Sequence, residues 1–163
     1  MKVIYICGKL NQMDFLIREA NESDVSAILG LINELAVFEK EPDAVVITEK
    51  TLLKYGFGKE AFFHCYVAEF RNEIAGMALF YPRFSTWKGK SIHLEDLIVT
   101  QQMRGKGIGK ALLDKVVAFA RDQKLLRVEW VVLDWNTPAV EFYKNYGAKV
   151  MPEWDTVHLE LTY

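Results

Sequence analysis

"LEDLIVTQQMRGKGIGKALL", residues 94–113, passes from a strand-like apolar run to a helix-like one through a loop of glycines and cations. Two acids, Glu95 and Asp96, interrupt the apolar run near its start. Gly105, Gly107 and Gly109 follow, interleaved with Arg104, Lys106, Ile108 and Lys110. Glycine permits positive φ and lets backbone N–H groups come close to an anion. A helix start adds unpaired N–H groups and the positive end of the helix dipole. Strand, cationic glycine loop and helix in this order suit a phosphate or pyrophosphate. Two better-known phosphate loops fit poorly. A Walker loop continues Gly-Lys with Ser or Thr, whereas Ala111 follows Lys110 here. A dinucleotide fingerprint needs a glycine where this chain has Lys110.

Working outward, "FLIREA" reads as a first strand, and Asn21 or Ser23 caps a helix whose apolar face runs through Ile28, Leu31, Ile32, Leu35 and Phe38. "TEKTLLKYGFG" reads as a short helix capped by Thr48 and stopped near Gly56. "FFHCYVAEF" and "EIAGMALFYPRF" form a hairpin through "RNE", with Pro82 marking an edge or a strand end. "SIHLEDLIV" and "RVEWVVL" are strands on either side of a helix over Gly107–Gln123. "NTPAVEFYKNYG" carries helix punctuation at both ends, and two last strands are expected in "AKVM" and "DTVHLELTY". The order β, α, α, β, β, β, α, β, α, β, β predicts an α/β (α+β) domain. Its sheet is mixed and mostly antiparallel, with helices on both sides.

The 163 residues, 51% hydrophobic and 26% charged, suit one domain with its own core. A net charge of −2 gives no reason to expect a nucleic-acid partner. No run reaches the roughly 18 apolar residues of a membrane helix, and Val3–Cys7 is too short for a signal-peptide core. Cys7 and Cys65 have neither metal-ligand spacing nor a disulfide framework, so a soluble cytoplasmic protein is expected. His64, His93 and His158 lie on three different expected strands, and no metal site is expected from them.

The glycine loop resembles the Q/R-x-x-G-x-G/A signature of the GNAT acetyltransferase superfamily, with Gln102 or Arg104 leading Gly105, Gly107 and Gly109. "WNTPAVEFYKNYGA" resembles that family's second landmark, N-x-x-A-x-x-F-Y-x-x-x-G. "LINELAVFEKE", "ITEKTLLKYGFG", "FFHCYVAE" and "WKGKSIHLEDLIV" extend the resemblance to the diamine branch, the spermidine/spermine and thialysine acetyltransferases. It covers roughly residues 15–148 and implies the GNAT fold over 14–163, with residues 1–13 an extension or tail. Two positions depart from the relatives. They carry an aromatic at His93, and a tyrosine at Phe38, beside the acid matching Glu39.

The resemblance implies acetyl transfer from acetyl-CoA to a primary amine of a small polyamine- or diamine-like molecule, by direct attack. It implies that backbone at Ile98 and Val99 pairs with the pantetheine arm. The loop from Arg104 to Lys110 would take the pyrophosphate, with Asn136 and Tyr143 as further cofactor contacts. The amine must lose a proton, which costs an alkyl ammonium about 4.6 kcal/mol at neutral pH. A carboxylate can hold the cation and accept that proton. Glu95 is the expected catalytic acid–base residue, while Asp96, Glu39, Trp87 and Phe38 are expected at the substrate. On a regular strand Glu95 and Asp96 point to opposite faces and do not couple, unless a bulge after them changes their aim. His93 shares a strand face with Glu95 and could tune it or serve as an alternative base. Tyr143 matches the family's general acid, returning a proton to the departing thiolate. A homodimer is expected by the same analogy. The alternatives are another amine (thialysine, an amino acid or a protein N-terminus) or a non-catalytic acyl-CoA-binding module.

Overall fold

The computed structural model describes residues 15–161, so the expected extension over residues 1–13 lies outside them. The chain divides into two compact units, meeting in sequence between Trp130 and Val131.

The first unit is built on a sheet of five strands in the order β1-β2-β3-β4-β5. β1 (Phe15–Glu19), β2 (His64–Phe70), β3 (Glu73–Ser85) and β4 (Gly89–Val99) pair antiparallel. β5 (Val128–Glu129) joins β4 in parallel, at Ile92 and His93. The β2–β3 hairpin turns on Arg71 and Asn72, both at positive φ (52° and 66°), which matches the right-handed twist of the strands it joins. Pro82 pairs with Ile92 of β4 but lies beyond Phe80, where the pairing with β2 ends, so its missing N–H costs no ladder bond to β2.

A capping box opens the 3-10 turn Glu22–Asp24 that leads into α1 (Val25–Phe38): the Asn21 side chain accepts from Ser23 N–H, and Asp24 accepts from Asn21 N–H. Asp24 also takes both terminal nitrogens of Arg18 at 2.6 and 2.8 Å, while Arg18 Nε reaches Glu69 at 2.7 Å. These bonds tie the helix start to β1 and β2. The guanidinium also holds the Asp24 carboxyl below its ordinary range. Val25, Ile28 and Leu31 pack on Cys65, Val67, Met77, Leu79 and Ile98. α2 (Glu49–Leu52), capped by Thr48, widens into a π-turn over Leu53–Phe57.

α3 (Ile108–Asp122) lies on the opposite face. Its Phe119 meets His64 and Phe80 at 5.1 and 5.2 Å, and Lys115 sits over Tyr66. Neighbours along β2 therefore alternate, His64 and Tyr66 to α3, Cys65 and Val67 to α1. The expected two-sided layering is present in these two helices.

The second unit carries α4 (Thr137–Tyr146), capped by Asn136 and closed by Gly147 at φ 99°. Two expectations need correction. "RVEWVVL" contributes only Val128 and Glu129 as strand, and the two last strands are absent among the described residues. Val157, Leu159 and Leu161 keep a strand's alternation yet stand 88%, 85% and 66% exposed. Alternation marks a segment fit for a sheet but does not by itself make it pair.

Candidate active site

The local structure turns on one extra residue in β4. Leu79 of β3 pairs with Asp96, whereas the next residue, Phe80, pairs with Leu94. Glu95 is the surplus residue of a β-bulge. The bulge resets the side-chain alternation. Leu94 faces α3 with Phe80, while Asp96 shares the α1 face with Leu79. Glu95 turns to that second face too, where Tyr81 Oη donates to Glu95 Oε2 at 2.7 Å. His93 Nε2 lies 3.7 Å from the same oxygen.

Both acids therefore point the same way, against the expectation for a regular strand. They also couple. The Asp96 carboxyl is pushed up to about 7 by burial first, then by the charges of Glu95 and Glu39. Glu39 stands at the C-cap of α1, and partial desolvation raises its carboxyl as well. Three acids from two elements thus share one field, a setting for a cation. Tyr81 was not singled out from the sequence, because its contact with Glu95 depends on the bulge. Burial and that hydrogen bond push its phenol up to about 12, so it remains a donor.

Phe38, the last residue of α1, lies 5.2 Å from the Arg104 guanidinium, whose Nε donates to the Val99 carbonyl at 2.9 Å. Arg104 so links the end of β4 to the end of α1. Trp87 sits in the β3–β4 turn, where Ser85 Oγ accepts from its N–H, and it is 77% exposed. From the start of β4 at Gly89, six positions, about 20 Å of strand, run to Glu95.

β5 covers β4 only at Ile92 and His93, so among the described residues Leu94–Val99 have no strand on that side. The glycine loop starts at the end of this open edge. Gly105 and Gly107 hold φ of +73° and +83°, in open space, and no side chain caps α3 at Gly107. The first N–H groups of α3 are thus left for an outside acceptor, which fits a pyrophosphate. Lys110 pairs with Asp114 at 2.7 Å, and Lys106 Nζ meets the Met103 sulfur at 3.3 Å. Among the described residues no group of three His, Cys, Asp or Glu could hold a metal.

In the second unit, Asn136 Oδ1 accepts from Ala139 N–H at 3.3 Å, so it serves as the cap of α4. Tyr143 is buried, and burial pushes its phenol up to about 12.

Residues 27–148 match the model of the acetyltransferase (GNAT) family. A thialysine N-epsilon-acetyltransferase of Bos taurus is 42% identical over 151 residues, 88% of this chain and 89% of that protein. A spermidine/spermine N(1)-acetyltransferase-like protein 1 of Homo sapiens is 34% identical over 152 residues, 89% of this chain and 22% of the larger protein. Among solved structures, a predicted acetyltransferase of Clostridium acetobutylicum with acetyl-CoA superposes with a TM-score of 0.71 at 22% identity, over 88% of this chain and 96% of that one.

Proposed function

The chain belongs to the acetyltransferase (GNAT) family, and on that premise we propose that it acetylates a primary amine of a small diamine- or polyamine-like substrate. It is an N-acetyltransferase, and the family's acetyl donor is acetyl-CoA. The observation that supports a cationic acceptor is the bulge, which turns Glu95 and Asp96 to one face within the field of Glu39.

Acetyl-CoA supplies an acetyl group already activated as a thioester. The chain's part is to hold, orient and move protons. In this reading the open edge of β4 at Ile98 and Val99 receives the pantetheine amides as an added strand. The loop Arg104, Gly105, Lys106, Gly107, Ile108, Gly109 and Lys110 receives the pyrophosphate, with Asn136 and Tyr143 as further contacts. The ammonium docks against Glu95, the more exposed acid, with Asp96 and Glu39 adding negative potential. Phe38 supplies an apolar wall, and Trp87 is assigned to the substrate by the resemblance alone. Glu95 takes the ammonium's proton, directly or through water, and frees the nitrogen lone pair for attack. Asp96, poised near neutrality, buffers the pair. Tyr143 keeps its proton at physiological pH and offers it to the departing thiolate.

The family match crosses the boundary between the two units, which supports a single catalytic domain over residues 14–163. A homodimer is part of the same reading. The exposed apolar alternation of Val157, Leu159 and Leu161 is a surface that a second copy would cover. The buried free thiol of Cys65 supports a reducing, cytoplasmic setting. The net charge of −2 supports a small-molecule partner over nucleic acid.

Thiol release from acetyl-CoA, followed with spermidine, putrescine, thialysine and lysine as acceptors, tests the assignment. Faster turnover of the polyamines is expected. A second reading, thialysine or an amino acid as acceptor, is favoured by the 42% identical bovine relative. Turnover confined to thialysine or lysine would establish it instead. Sedimentation at micromolar protein gives the mass of a dimer, and a monomer would remove that part.

A further inference from the structure

Arg83 lies two positions beyond Tyr81 on the same face of β3. Its Nη1 is 3.4 Å from His93 Nδ1 and forms an ion pair with Glu129 Oε1 at 2.8 Å, while Arg127 Nε lies in ion-pair range of Glu129 Oε2 at 2.8 Å. A row of charges thus crosses three strands and ends at the imidazole. A guanidinium has only donors, so the Nδ1 lone pair must face it. The proton of the neutral ring then sits on Nε2, the nitrogen that faces Glu95 at 3.7 Å. The ring has little freedom to turn away. Tyr81 packs 5.4 Å from it on one side, and Phe62 stacks on Tyr81 at 5.8 Å.

We propose that His93 is a positioning residue for Glu95: Arg83 fixes it as the Nε2–H tautomer, and that N–H, with the Tyr81 hydroxyl, holds the Glu95 carboxylate where the amine's proton arrives. This rests on the reading of Glu95 as the proton acceptor. It also settles a choice the sequence left open. With its proton on Nε2, His93 faces Glu95 as a donor, which leaves no lone pair there for the work of a base. At 3.7 Å the contact is a charge–dipole contact, short of a hydrogen bond. Closing it takes a shift of about half an ångström, of the kind catalytic contacts undergo when substrate binds.

Nitrogen-15 shifts of the His93 ring, assigned by comparison with His93→Gln, read the tautomer directly at a pH where the ring is neutral. The expected spectrum has a protonated Nε2 and a bare Nδ1, with the Nδ1–H form appearing in Arg83→Met. A protonated Nδ1 in the unaltered protein overturns the assignment. Kinetically, His93→Phe lowers kcat for the amine about tenfold, the low end for one donor to a charge. Acetyl-CoA affinity is unchanged, and His93→Gln, which keeps an N–H, recovers part of the loss. Full activity in His93→Phe, or equal loss in both variants, overturns the positioning role. In a Glu95→Gln background, His93→Phe should add nothing, and a further loss there would show that His93 acts elsewhere. Full activity in Glu95→Gln alone would overturn the reading of Glu95, a failure distinct from that of His93, which the ring shifts decide.

Discussion

Tyr81 donates its phenolic proton to Glu95 at 2.7 Å, although a regular strand would count its partner one residue differently. The bond exists because Glu95 is the surplus residue of the bulge. Tyr81→Phe keeps the ring between Phe62 and His93 and removes only the donor. The expected result is an unchanged melting temperature and a loss in kcat/KM for the amine of about three- to tenfold. Steady-state kinetics at saturating acetyl-CoA measure it, and an unaffected kcat/KM would show that the bond is idle.

Asp96 ties stability to pH. Its folded pKa of about 7 lies above its unfolded value, so the folded state binds the proton more tightly. The stability this contributes is complete below the unfolded pKa and is lost as pH rises through about 7. Asp96→Asn mimics the protonated acid at every pH. The variant should melt well above the parent at pH 8 and close to it below pH 4, by thermal denaturation. Equal differences at both values would mean that Asp96 does not titrate in this window.

Tyr143 carries the proposed acid role. Tyr143→Phe should lower kcat by about a hundredfold, the lower range for a positioned proton donor. Acetyl-CoA affinity, followed by titration calorimetry, should change little. A parallel loss of both would leave Tyr143 as a cofactor contact and not the acid.

The glycines of the loop are not equivalent. Gly107 holds φ +83°, whereas at Gly109 an added Cβ would meet only the Val99 side chain, at 3.7 Å. Gly107→Ala should weaken acetyl-CoA binding and lower Tm by about 2–6 °C through backbone strain. Gly109→Ala should leave Tm near that of the parent. The reverse order would locate the constraint in packing, not in backbone conformation.

Much of the fold was legible because local chemistry specifies it. Asn21, Thr48, Asn136 and Gly147 punctuate helices where caps are expected, and Arg71-Asn72 makes the hairpin turn. The glycine loop announced an uncapped helix start, and α3 has one at Gly107. What stayed hidden depends on partners. A bulge is a mismatch between two strands, and "HLEDLIV" reads equally well with or without it. The coupling of Asp96 to Glu95 and Glu39, and the bond from Tyr81, follow from that mismatch. The alternation of Val157, Leu159 and Leu161 makes no strand among the described residues, because a period of two says which residues could share a face and not which edge they join.

The bulge also makes Glu95 a residue with no place of its own in the ladder. Leu94 already pairs with Phe80 and Asp96 with Leu79, so the faces on either side of it are set without it. Deleting Glu95 would leave Leu94 and Asp96 as neighbours in an unbroken alternation, each still on its own face. The sheet would close over the gap, and what would vanish is the acid and the bond it accepts from Tyr81. A surplus residue of this kind can be gained or lost without disturbing the core on either side, so the proposed chemistry rests on a position that the pairing of the strands does not need.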